Sequence, residues 1–301
     1  MKEDYLLGLD FSGFYIKLSE IKKNSPRNIL TNLDYIKTDV NFNDSALYEI
    51  ITDPDVALHI VSKLTTLFSR NKLSAKNITL ALSALSSILI SVPMDIEKSK
   101  EERKERALWE LSNYYPNINP ESFNIALFPL ANDNCNVLLT AIHKDIIIFL
   151  RNILNGLGFN IYRFDIDHFA ALRATVEGAI EKGRNDYCIV GYRDKYFDIG
   201  IIKDSVLNNY YAGFSSDEIL NDCEFLKKFL RDKIIEPCYF FGDKFNSEII
   251  SDLARTFNIK YYGILDSFQS VDIYPSINVD EKILFNRSDY AFSIGSTIGK
   301  I

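Results

Sequence analysis

The 301-residue chain is poor in the residues that build metal sites and disulfide frameworks. Its four cysteines (Cys135, Cys188, Cys223, Cys238) show no C-x-x-C spacing, and its three histidines (His59, His143, His168) lie far apart. Neither set has zinc-site spacing, and a reducing cytoplasm is the compartment this usage implies. Basic charge is outnumbered, with 34 Lys and Arg against 41 Asp and Glu. The net charge is −7 and no Lys/Arg stripe dominates any stretch, which argues against nucleic-acid binding. A long apolar run is missing too. The longest uncharged stretch, ITLALSALSSILISVPM (78–94), has 17 residues including five Ser or Thr. A membrane span needs roughly 20 mostly apolar residues, so this stretch reads as buried strands. The opening MKEDYLL has no apolar core of secretory-signal length, and the expectation is a chain with no membrane insertion of its own. Low-complexity segments are absent, and KGRND (182–186) is the best candidate for a hinge.

What is present is an ordinary globular composition, 47% hydrophobic and 25% charged, in a chain long enough for one large or two medium domains. LLGLDFSGFYIKLSEI (6–21) reads as a β-hairpin, with alternating apolar residues on both sides of a polar, Gly-containing tip. An acid, a glycine turn and a base at such a tip suit a metal-bound phosphate, and they suit an ordinary turn equally. Residues 29–40 continue as a third strand. DPDVALHIVSKLTTLFSRN (53–71) reads as an amphipathic helix capped by Asp53 with Pro54 in its first position. Residues 95–116 form a charged helix whose apolar face is Ala107, Leu108, Leu111 and Tyr115, its charges a solvated face. A strand (136–144), a helix ending in glycines, a strand (159–166) and a helix capped by Asp167 follow. From residue 187 a second hairpin, YCIVGYRDKYFDIGIIKDSVLNNYYAGF, repeats the outline of the first about 180 residues later. Such alternation gives an α/β protein, and the repeat suggests a duplicated fold around a cleft.

The order of these features resembles the actin-like ATPase superfamily. Within it the similarity is to the PilM-type, FtsA-related proteins of type IV pilus assembly. GLDFSGFYIKL sits where the first phosphate motif falls. ITLALSALSSILISVPM and ALWELSNYYPNINPESFNIALFPL resemble the path into and through a small inserted subdomain, 1C. VLLTAIHKDIIIFLRNILNGLGFNIYRFDIDHFAALRA is the most specific stretch: strand, basic turn, helix, Gly-Leu-Gly, strand, then an Asp-x-x-x-Phe-Ala helix. The resemblance implies a ribonuclease H-like duplicated fold. Subdomain 1A would take residues 1–85 and 143–183, 1C residues 86–142, and the second domain residues 184–301, with a shortened 2B near 214–274.

Carried over residue by residue, the resemblance makes Asp10 the acid that holds a hydrated Mg²⁺ and Lys17 the base near the phosphates. Ser12 replaces the motif's glycine, with Gly13 one place later, and bulky Phe14 and Tyr15 crowd the tip where backbone N–H groups should cradle phosphate. In the second hairpin Gly191 stands where the family has an Asp and Arg193 where it has a glycine. Arg193 is itself a candidate phosphate ligand, with Asp194 and Asp198 as substitute carboxylates. In the adenosine motif, CYFFGDKF, Gly242 remains while Asp243 and Lys244 take the following glycine positions. Only 28 residues separate Gly213 from Gly242, room for one helix (NDCEFLKKFLRDKIIEP) where the family clamps the base.

Three altered motifs and a shortened clamp imply a retained fold with catalysis lost. On this reading Asp10, Ser12, Gly13, Lys17, Arg193, Gly213 and Gly242 are a remnant nucleotide site, and Asp10 and Lys17 form a remnant ion pair across the cleft. No cofactor is expected, with ATP and Mg²⁺ the alternative. The implied function is a cytoplasmic scaffold, peripheral to the inner membrane, that binds the N-terminal tail of a bitopic PilN-like subunit between 1A and 1C. Leu85, Ile88, Ile90, Val92, Met94, Leu138, Thr140 and Ile142 are the residues expected at that cleft. An ATP-binding protein whose nucleotide state tunes the partner is the alternative, and a sugar or metabolite kinase of the same fold the distant one. Homo-oligomers remain open to each.

Overall fold

The computed structural model describes residues 4–24, 27–131, 136–181, 185–194, 196–214, 236–243, 245–283 and 287–298. Three sheets organise them. The first has six strands in the order β14-β3-β2-β1-β4-β8. These are β1 (Tyr5–Ser12), β2 (Tyr15–Lys22), β3 (Asn28–Lys37), β4 (Asn77–Leu82), β8 (Asn160–Ile166) and β14 (Val271–Ile273). The second has five, β11-β10-β9-β12-β13, from β9 (Tyr187–Tyr192), β10 (Tyr196–Lys203), β11 (Val206–Phe214), β12 (Cys238–Phe241) and β13 (Tyr262–Ile264). A third small sheet, β5-β7-β6, comprises β5 (Ser87–Pro93), β6 (Phe123–Pro129) and β7 (Asn136–His143).

The first two sheets repeat one plan. In each, an antiparallel three-strand meander is followed by two parallel strands on the far side of the first strand. The parallel pairs need crossovers, which the helices supply. Helix α1 (Leu47–Ile51) and helix α2 (Pro54–Ser69) lead from β3 to β4. Asp53 caps α2 by accepting from the N–H groups of Asp55 and Val56, with Pro54 where a missing donor costs nothing. Its buried face, Ile60, Leu64, Leu67 and Phe68, follows helical spacing onto the first sheet. Helix α4 (Lys144–Gly156) leads from β7 to β8, and helix α5 (Asp167–Glu181) leads from β8 into the second sheet. Helix α3 (Lys100–Tyr114), closed by a Ser99–Glu102 capping box, covers the third sheet through Ala107 and Leu111. Beyond α6 (Ser247–Thr256) and the short α7 (Val279–Lys282), the chain ends in α8 (Ala291–Thr297), whose Ala291 and Phe292 join the first sheet's core.

Several details differ from the sequence reading. Asp167 is the first residue of α5 and its carboxylate serves other partners, described below. Tyr115 lies just past α3 and is 40% exposed, so it does not complete that helix's apolar face. Residues 271–273, assigned by sequence to the second domain, pair instead with β3 of the first sheet, because the chain crosses back after β13. The expected helix at 221–237, most of the hinge at 182–186, and Cys135, Cys223 and Lys244 lie outside the described residues, wholly or in part. No described helix is long and apolar enough to cross a membrane.

Candidate functional site

The two hairpin tips meet at the cleft between the first and second sheets. In the first hairpin Asp10 and Lys17 are direct cross-strand partners, with Ser12 opposite Tyr15 at the tip. Lys17 Nζ donates to Ser12 Oγ (2.9 Å), Ser12 Oγ donates to Asp10 Oδ2 (3.0 Å), and Lys17 Nζ lies 3.7 Å from Asp10 Oδ2. The ion pair therefore forms within one hairpin rather than across the cleft. Burial pushes the Asp10 carboxyl up to about 7, with Lys17 and Ser12 pulling the other way and nearby Asp167 adding to the rise. Its Oδ1 is buried without a hydrogen-bond partner.

The second hairpin has the same register with its charges rearranged. Gly191 faces Asp198, and the Arg193 N–H bonds the Tyr196 carbonyl at the tip. Gly191 thus takes the place of Asp10, Arg193 that of Ser12, and Asp198 that of Lys17. A carboxylate has no room at Gly191. A Cβ there would stand 2.2 Å from Arg193 Nη1, 2.3 Å from Asp198 Oδ1 and 2.5 Å from the Phe241 ring. The Arg193 side chain occupies that space by folding back over the glycine.

Arg193 is 1% exposed and does not reach out as a phosphate ligand. Its Nη1 donates to Asp198 Oδ1 (2.6 Å), and its Nη2 lies 2.9 Å from Asp167 Oδ1. Tyr196 and Phe241 sandwich the guanidinium at 4.5 and 4.6 Å from their ring centres. Asp198 also faces His168 Nδ1 at 2.8 Å and accepts from the Tyr210 hydroxyl at 3.1 Å. The Tyr196 hydroxyl donates to Asp167 and accepts from the Ala84 N–H (3.2 Å). Burial works against the charge on Asp198, but Arg193 and His168 outweigh it and hold its carboxyl below the usual range. Burial dominates at Asp167 and raises it, even with Arg193 beside it. Burial likewise opposes the charge on Arg193, while Asp167 and Asp198 more than restore it. Asp198 is therefore already committed and is no substitute metal ligand; Asp194 accepts from Asn41 Nδ2 at 3.2 Å, across the cleft.

A cavity of about 190 Å³ survives at the mouth, lined by residues that include Ser12, Gly13, Lys17, Lys37, Arg193, Gly242, Asp243 and Asp289. Ligand sites generally run from roughly 300 to 1,000 Å³. Gly242 has φ +116°, and a Cβ there would lie 2.2 Å from the Tyr192 carbonyl oxygen, so strand packing explains this glycine. Asp243 accepts from Asn43 Nδ2 (3.0 Å), a second bond across the cleft. Among the described residues no group of three or more His, Cys, Asp or Glu side chains is placed to hold a metal ion.

A second feature lies between the first and third sheets, a groove of about 300 Å³. One wall is β6 and β7 of the third sheet, including Asn124, Ala126, Phe128, Thr140 and Ile142. The other is α4 and the β8–α5 turn, including Ile147, Arg151, Phe164, Asp165 and Phe169. Among the described residues both β6 and β8 are edge strands of their sheets. Thr140 Oγ1 is buried without a hydrogen-bond partner.

No protein-family model matches the chain, and no curated protein matches it in sequence. Solved structures match over nearly its whole length. The PilM–PilN type IV pilus biogenesis complex superposes with TM-score 0.75 at 16% identity, over 96% of both chains. A Bacteroides thetaiotaomicron protein of actin-like ATPase fold matches with TM-score 0.52 at 14% identity, covering 93% of this chain and 95% of that one. The ethanolamine utilization protein EutJ of Carboxydothermus hydrogenoformans matches at 0.50 and 9% identity, covering 98% and 90%. The chain has the actin-like fold.

In this actin-like frame Ser12, Gly13, Lys17, Arg193 and Gly242 meet at the cleft cavity, with Asp10 buried behind Ser12 and Lys17. Gly213 does not join them; it sits on β11 against the Phe197 ring. Of the eight residues expected at the partner cleft, Thr140 and Ile142 line the groove. Ile88, Ile90 and Val92 project from the opposite face of the third sheet into the core under α3, because alternate residues of a strand face opposite ways. Leu138 is core on the first side, Leu85 is part-buried there, and Met94 lines a separate cleft with Ile96 and Arg103. Phe128, Ile147, Phe164 and Phe169 also line the groove and are not singled out by the sequence. One signal was available: FNIALFP carries apolar residues on both faces, and one face alone fills the core beneath α3.

Proposed function

We propose that this chain is a non-catalytic, PilM-like scaffold of an inner-membrane assembly platform for a type IV pilus or a related secretion machine. It works in the cytoplasm, reaches the membrane through a partner, and holds the N-terminal tail of a PilN-like bitopic subunit. The observation that carries the loss of catalysis is Arg193, whose side chain fills the space of the second carboxylate and ties up Asp167 and Asp198. Phosphoryl transfer needs a held metal and a polarised water, and the Asp167 and Asp198 carboxylates are already engaged by Arg193, His168 and the Tyr196 and Tyr210 hydroxyls.

The partner reading draws on the groove. An extended segment can add to an exposed strand edge by main-chain hydrogen bonds while its side chains take apolar pockets. The groove offers two edge strands, the rings of Phe128, Phe164 and Phe169, and the unpartnered Thr140 hydroxyl. Titrating a synthetic peptide of the first residues of a PilN-like subunit into the protein, beside Phe169→Asp, tests it. Saturable binding that Phe169→Asp abolishes supports the proposal. Binding that survives Phe169→Asp moves the partner elsewhere.

A nucleotide-regulated protein is the second reading, favoured by Lys17 and Gly13 at the residual cavity. It predicts Mg-ATP binding that Asp10→Ala removes.

A further inference from the structure

We infer that the second sheet braces the groove, with Arg193, Tyr210 and Asn208 as positioning residues that set the spacing of its two walls. The consequence for a partner rests on the reading of the groove as the partner site; the brace itself does not.

The two walls belong to different sheets and are joined by the chain where β7 runs directly into α4 at His143–Lys144. The second sheet reaches each wall separately. On the α5 side, Asp165 and Phe169 line the groove while Asp167 and His168, between them, engage Arg193 and Asp198. The Phe169 ring packs against Tyr210 (5.5 Å between ring centres), whose hydroxyl donates to Asp198. On the third-sheet side, Ala131, two residues past β6, is strapped to β11. Its N–H donates to the Leu207 carbonyl (3.0 Å), and its carbonyl accepts from Asn208 Nδ2. The Tyr196 hydroxyl adds a bond to the Ala84 N–H, just before β5. Phe169 and Phe128 then face each other from the two walls at 6.2 Å.

Buried hydrogen-bonded networks transmit position because their members have few alternative arrangements. With Arg193 as a built-in occupant, the second sheet keeps one place relative to α5. The strap at Ala131 then carries that placement to the third sheet. The groove then stays formed with no nucleotide in the cleft.

The test uses the full chain with nitroxide labels at Glu121→Cys, just before β6, and Tyr162→Cys on β8, in a Cys135→Ser, Cys223→Ser background. Pulsed electron resonance reads the distance distribution between the walls. Tyr210→Phe with Asn208→Ala removes one bond from each tie and leaves every buried charge paired. The brace predicts a longer and broader distribution in this double variant, a narrow one in the parent, and no change for the exposed control Asp252→Ala. An unchanged distribution in a double variant with native circular dichroism overturns it. Should the double variant fail to fold, Asn208→Ala alone carries the same two outcomes. Where the parent binds the tail peptide, the double variant should bind about tenfold more weakly. A distribution that widens in a protein that binds no peptide keeps the brace and removes the partner reading.

Discussion

Replacing Arg193 with methionine should cost more stability than any surface change in this molecule. Methionine keeps an unbranched apolar stem between Tyr196 and Phe241, so the packing loss is small and the main effect is electrostatic. Asp167 and Asp198 are both about fully buried, and Arg193 is the cation that lies between them. Removing one member of a buried, hydrogen-bonded charge cluster costs about 3–5 kcal/mol, because the remaining charge stays out of water without compensation. That is a large fraction of a total stability of about 5–15 kcal/mol. Urea unfolding followed by circular dichroism at neutral pH measures it. The distinctive expectation is non-additivity: Arg193→Met combined with Asp198→Asn should be more stable than Arg193→Met alone, since the second change removes one of the two carboxylates left without the guanidinium. A loss below about 1 kcal/mol for Arg193→Met, or a double variant as unstable as the sum of the singles, would mean that Arg193 does not hold the two carboxylates in place.

Asp10 gives a pH test. Its carboxyl is raised from 3.8 to about 7, so between those values the folded chain holds a proton that the unfolded chain has released. This group's contribution is therefore full below about pH 4, falls as pH rises towards about 7, and is flat above that. At about 1.4 kcal/mol per pH unit the span is about 4 kcal/mol as an order of magnitude. Asp10→Asn should remove this slope, seen as unfolding midpoints that change less between pH 5 and 8 than those of the parent. Gly242→Ala should destabilise by at least about 1–3 kcal/mol, because its Cβ meets the Tyr192 carbonyl at 2.2 Å, and thermal unfolding will show it. Gly191→Ala should do the same by displacing Arg193. Thr140→Val should leave stability unchanged or improved, since its hydroxyl is buried unpaired, and should weaken any ligand that bonds to it.

Local sequence signals suffice where one element contains the whole cause. The first hairpin, the Asp53–Pro54 start of α2 and the meander from residue 187 each follow from alternation, capping and turn chemistry within a few residues. The equivalence of Gly191 with Asp10 was also legible, since hairpin register depends on the tip alone. The direction of the Arg193 side chain was not. It depends on Asp198 from the same hairpin and, far away in sequence, on Asp167 from α5 and the rings of Phe241 and Phe292. An arginine beside a glycine in a phosphate motif reads as an exposed ligand until those partners are assembled. The groove suffered the opposite problem. Ile88, Ile90 and Val92 look as exposed or as buried as Thr140 and Ile142 in the sequence, and only the placement of α3 over one face decides between them.

On the proposed reading the Arg193 side chain fills the space of the second carboxylate of an actin-like nucleotide site and leaves a scaffold. Titrating the purified protein with Mg-ATP by calorimetry, beside Asp10→Ala, tests it most directly. The scaffold should give no binding heat up to about millimolar ATP while folded by circular dichroism. Micromolar binding that Asp10→Ala abolishes would contradict it and restore a working nucleotide site.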